Sequence, residues 1–167
     1  AVAINPAAAG ATHSLSMAVN PRGGGTTTPA VGSHVYDENE VVNISATPAV
    51  GFEFVNWSGD VADPNAASTS VTMGSDKTVT ANFIPIEYTL TIVSEHGIVA
   101  KNPDQATYHY GDVVQLTATP ADGFAFTNWT GDLTSSTNPA SITISGNHSV
   151  TANYMESSGV VLLDGSV

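Results

Sequence analysis

The stretch GFEFVNWSGD at residues 51–60 returns as GFAFTNWTGD at residues 123–132. Whatever fold accepts the first decapeptide must therefore be built a second time. The match extends on both sides: Pro48, Gly51 and Trp57 recur at one spacing as Pro120, Gly123 and Trp129, and TVTANF at 78–83 recurs as SVTANY at 149–154 after a single-residue indel. The sequence thus divides into a tail at 1–12, one module at 13–84, a second at 85–154, and a tail or strand at 155–167. A period of this length is a small domain and not one turn of a solenoid.

Inside each copy the hydrophobic period is two. Leu15, Met17 and Val19 alternate with polar residues, as do Tyr88, Leu90 and Ile92. The same holds for Val42, Ile44 and Ala46, for Val114, Leu116 and Ala118, and for the pairs Val71 with Met73 and Ile142 with Ile144. Such alternation buries one face and wets the other, the mark of half-buried antiparallel strands. The breaks PRGGG, DEN, EHG, YGD, MGSDK and SGNHS are turn chemistry, and the last two are expected to be hairpins. No stretch carries a helical period. The fold class is all-β: two tandem small antiparallel β modules of four to six short strands each.

Charge excludes several functions. Of 167 residues only 11% are charged, with 15 acidic against three basic, Arg22, Lys77 and Lys101. A net charge near -12 repels phosphate and offers no basic patch, which argues against nucleic acid and against an anionic membrane surface. There is no cysteine, so disulfides, thiolate chemistry and Cys-type zinc sites are out. No apolar run approaches the ~20 residues of a membrane helix. The start AVAINPAAAG, with neither Met nor a basic leader, reads as a mature or excised chain. Abundant Ser, Thr, Asn and Gly points to export.

Copy two reads YTLTIVSEHGIV, YGDVVQLTATPADGFAFTNWTGD and SITISGNHSVTANY, and copy one matches it in ISATPAVGFEFVNWSGD and VTMGSDKTVTANF. This pattern resembles the divergent internalin-type B-repeat, found in tandem in bacterial surface and secreted proteins. Copy one departs at PRGGGTTTPAVGSH, where its first connection is longer, and at DENE. The resemblance implies a compact, β-grasp-like or related mostly-β module for spacing, display or contact outside the cell. It implies no catalytic residues.

Two tryptophans in small modules invite a sugar-platform reading, but modules this small need their aromatics inside. Phe52, Phe54 and Trp57, with Phe124, Phe126 and Trp129, are therefore the expected core anchors. Gly51, Gly59, Gly123 and Gly131 supply the bends around them. Asp60 and Asp132 could join Asp63 or Asn65 around calcium, but Ser135 replaces Asp63 in copy two, so an Asx-turn role is favoured. His13, His34, His96, His109 and His148 lack metal-ligand spacing. No nucleophile motif, phosphate loop or dinucleotide fingerprint is present. No catalysis, cofactor or metal is expected. Asn43, Asn56, Asn128 and Asn147 stand in N-x-S/T sequons, of which Asn56 and Asn128 fall inside the core motif. A Lys to Asn isopeptide bond from Lys77 or Lys101 is disfavoured, since His148 replaces Lys77 in copy two.

The tail GVVLLDGSV holds one apolar run, Val160, Val161, Leu162 and Leu163, suited to lie beside an open sheet edge of its own module or of a neighbour. Repeated head-to-tail contacts that do not close give filaments. The sequence therefore predicts a non-enzymatic extracellular structural protein, surface-displayed or polymerising through its terminal strand, with other copies or neighbouring surface modules as partners. The alternative is an adhesin module that binds a glycan or host protein.

Overall fold

A computed structural model describes residues 10–157. The terminal run Val160–Leu163 lies outside the described residues. The chain divides after Ile86 into two units. The first contains β1 (Thr12–Asn20), β2 (Gly25–Thr28), β3 (Gly32–Asp37), β4 (Val41–Pro48), β5 (Phe52–Ser58), β6 (Ser68–Thr72) and β7 (Lys77–Pro85). The second contains β8 (Leu90–Ser94), β9 (Gly97–Asn102), β10 (Val113–Pro120), β11 (Phe124–Gly131), β12 (Ala140–Thr143) and β13 (His148–Glu156). The fold is all-β, and no helix occurs among the described residues. What covers each sheet is a second sheet and not the crossing helix of a β-grasp.

In the first unit the sheets run β3-β1-β7-β5 and β2-β4-β6. In the second they run β11-β13-β8 and β12-β10-β9. Pairing is antiparallel except where the first and last strands of each unit meet, β1 with β7 and β8 with β13, which are parallel. Those two ladders join residues far apart in sequence and close each unit without a disulfide.

Successive strands of the first unit lie in alternate sheets, so its turns are arches across the core and not hairpins. MGSDK carries the chain from β6 to β7 in the other sheet, and SGNHS does the same from β12 to β13. The hairpins expected at these two turns are therefore absent. Period-two alternation sends every second side chain inward whether the next strand lies beside or opposite, so it could not distinguish them.

The inward faces make one core per unit. Leu15, Met17, Val79 and Ala81 meet Val42, Ile44 and Val71 in the first. Leu90, Val150 and Ala152 meet Val114, Leu116 and Ile142 in the second. β13 continues to Glu156, and the Ser157 N–H donates to the Gly123 carbonyl at 2.8 Å, as Ile86 does to Gly51 at 2.8 Å.

Candidate functional site

The repeated decapeptide forms one corner of each unit. Phe54 and Trp57 are three positions apart, which strict alternation would place on opposite faces. A register shift between Phe54 and Asn56 inserts one extra residue, Val55, and turns Trp57 back to the core side. The same shift falls between Phe126 and Asn128. Trp57 is 3% exposed and Trp129 fully buried.

Burial of an indole requires a partner for its N–H. Trp57 Nε1 donates to the Ala66 carbonyl at 3.0 Å and Trp129 Nε1 to the Thr137 carbonyl at 2.9 Å. The loop following each corner is thereby folded back over its indole. Phe54 lies edge-on to Phe83 at 5.9 Å and tilted to Trp57 at 5.7 Å. Phe126 meets Tyr154 at 6.2 Å and Trp129 at 5.1 Å.

Phe52, Phe54 and Phe126 are half-buried and pack against their cores. Phe124 departs from this pattern. It is half-buried outside the core cluster and stacks on His96, with ring centroids 4.1 Å apart and planes within 3°. The short EHG connection between β8 and β9 places His96 against that ring.

Beyond the corner, Asp60 pairs with Lys77, and Asp132 accepts the Ser149 N–H at 2.7 Å with His148 at 3.4 Å. These contacts tie the Gly-Asp turn to the start of each last strand. The Asx turn belongs instead to Asp63, whose carboxylate accepts the Asn65 N–H at 2.9 Å. The Ser149 hydrogen bond, with a further contribution from His148, holds the Asp132 carboxyl below its ordinary range. Hydrogen bonds from Thr107 and then His109 do the same for Glu87.

Ser145, His148 and Asp132 form a grouping that sequence reading missed. Ser145 Oγ lies 3.3 Å from His148 Nε2, and Nδ1 lies 3.4 Å from Asp132. The residue types are those of a nucleophilic triad. The Ser145 backbone N–H, however, already donates to that Nε2 at 3.1 Å, and neither groove described below reaches the trio. The arrangement closes a turn, and its counterpart in the first unit is the Asp60 to Lys77 pair. The repeat alignment, Asp132 with Asp60 and His148 with Lys77, is the signal that could have found it.

Among the described residues no group of three or more His, Asp or Glu side chains is placed to hold a metal. Lys77 and Lys101 meet Asp60 and Asp104, not an asparagine. Of the sequons, Asn56 accepts from Asn82 at 2.8 Å and Asn147 accepts the Thr89 N–H at 2.9 Å, while Asn43 is exposed.

Two surface depressions stand out among the described residues. A groove of about 510 Å³ lies on the β2-β4-β6 sheet, lined by Thr28, Asn43, Ser45, Ser68 and Ser70 and free of charge. A second, of about 350 Å³, is lined by Val93, Glu95, His96, Thr151, Asn153 and Tyr154.

The family model described as the divergent InlB B-repeat domain matches twice, over residues 15–87 and 88–158. The chain belongs to this family. The two B-repeats coincide with the two units, since the chain divides after Ile86 and the matches meet at residues 87 and 88. Comparison with curated proteins and with solved structures gave no match.

Proposed function

We propose that the chain is a non-enzymatic structural protein of the bacterial surface or extracellular space, whose copies join head to tail into a fibre through strand addition by a terminal segment. The observation that carries this reading is the use made of the repeated motif. Both tryptophans are buried and both indole N–H groups are bonded within their own unit, so what the chain repeats is architecture. A B-repeat pair with few charges and hydroxyl-rich outer faces suits exposed protein. Light scattering and electron microscopy of the full chain, beside a chain ending at Ser157, test the reading. Fibres or large oligomers lost on truncation are expected, and two monomeric samples would overturn it.

A second reading, an adhesin module for a neutral glycan, is supported by the uncharged groove at Asn43, Ser45, Ser68 and Ser70. Hydroxyl and amide groups there match the hydrogen-bonding character of a sugar. No aromatic ring lines the groove to stack on one. A titration of neutral oligosaccharides against the chain and Asn43→Ala tests this reading.

A further inference from the structure

The two units differ at one sheet edge. In the first, β3 pairs antiparallel with β1 from Met17 to Thr12. In the second, the strand equivalent to β1 is β8, and among the described residues it pairs only with β13. The cause lies in where the preceding strand stops. β2 ends with Thr28 opposite Ser45, whereas β9 continues until Asn102 stands opposite Gln115.

That extension consumes the residues that could otherwise have run along β8. Only Pro103–Thr107 remain before Tyr108, which touches the sheet at a single bridge with Tyr88. The short segment folds on itself instead: the Tyr108 hydroxyl donates to the Pro103 carbonyl at 2.9 Å and accepts the Gln105 N–H at 3.1 Å. Lys101 bonds the Gln105 carbonyl at 3.1 Å.

The consequence is a bare, apolar edge. Met17, flanked by β3 in the same sheet, is 3% exposed, while its counterpart Ile92 is half-buried. On the outer face Val93 is 42% exposed. β8, LTIVS, carries none of the Lys, Pro or bulge devices by which exposed edges are usually blocked.

We propose that this edge of β8 accepts Val160–Leu163 of a second copy as an added antiparallel strand. The inference rests on the assembly reading above and names its acceptor. The segment has the right chemistry on both sides, because neighbouring residues of a strand face opposite ways. One pair, Val160 with Leu162 or Val161 with Leu163, would cover Ile92, and the other would stand beside Val93.

Reach excludes the same molecule. Ala152 pairs with Ser94, and the chain continues through β13 to Ser157, about 17 Å past the level of Ser94 at strand rise. Residues 158–160 span at most about 11 Å when fully extended. Val160 cannot return to the level of Ser94, where an antiparallel strand would enter its own β8 edge, so the contact is between copies. Each copy then offers one donor and one acceptor, a heterologous contact.

The absence of cysteine permits a direct test. Full-length Val93→Cys is mixed with full-length Val161→Cys or Leu162→Cys under oxidation, and disulfide-linked heterodimers are counted by mass spectrometry. Val35→Cys, on the outer face of β3, replaces Val93→Cys as the control acceptor. One of the two donors should link to Val93→Cys at least tenfold more than to Val35→Cys, and the other donor should not. Equal linking by both donors, equal linking to the control, no linking, or ring closure within a monomer when Val93→Cys and the linking donor cysteine are combined in one chain would each overturn the proposal. Oligomers lost on truncation without the Val93→Cys link would leave the assembly reading intact and remove this edge. The link found within a closed dimer would keep the edge and remove the fibre.

Discussion

Trp129 donates its indole N–H to the Thr137 carbonyl at 2.9 Å, fixing a loop eight residues further on over a fully buried ring. Replacing the indole by phenyl keeps an aromatic ring in the core but leaves that carbonyl without its donor. Trp129→Phe should destabilise the second unit by about 1–3 kcal/mol from the unpaired acceptor, and Trp129→Ala by about 3–5 kcal/mol. Urea denaturation followed by circular dichroism measures both.

Gly131 has φ +91°, and a Cβ there would press into the Ser149 carbonyl oxygen. Backbone conformation and space both forbid a side chain. Gly131→Ala should lower the unfolding temperature of the second unit by more than Gly146→Ala, since Gly146 has open space where its Cβ would stand. Strain of this kind costs of order 1–3 kcal/mol. A calorimetric comparison of the two variants decides it.

Tyr108 is fully buried and its hydroxyl holds both Pro103 and Gln105. Tyr108→Phe removes both hydrogen bonds while retaining the ring. Amide exchange at Gln105 should become faster, and stability should fall by about 1–3 kcal/mol. Unchanged exchange at Gln105 would show that Lys101 and the turn suffice to hold the segment.

The sequence made strands and core legible because burial follows alternation directly: Val42, Ile44 and Ala46 are buried, as are Val114, Leu116 and Ala118. It also made the two-copy division legible. Topology was not, because Met73 and Ile144 point inward equally well in a hairpin or in an arch between sheets. Phe124 resembles Phe52 in sequence but meets His96, a neighbour fixed only by the length of the preceding connection. The bare β8 edge was hidden for a similar reason. It depends on how far β9 stays paired with β10, and the local pattern of GIVAKN allows either length.

Asp132 gives the second unit a pH dependence with a definite sign. The Ser149 N–H stabilises the ionised carboxylate and His148 adds to this, so the carboxyl is lowered in the folded state. A lowered carboxyl binds its proton less readily when folded than when unfolded. Its stabilising contribution is therefore complete above the unfolded value, about 3.9 for Asp, and is lost as pH falls through the folded value below it. Asp132→Asn keeps a carbonyl oxygen to accept the Ser149 N–H but cannot titrate. The variant should be less stable than the parent near neutrality, and the difference should shrink on acidification through that window. Some acid sensitivity should persist, because Glu87 is lowered in the same sense by Thr107 and His109. Urea midpoints of the second unit between pH 7 and pH 2.5, a range chosen to bracket about 3.9, measure the effect. A difference that stays constant over this range would mean that the Asp132 charge adds nothing beyond its hydrogen bond.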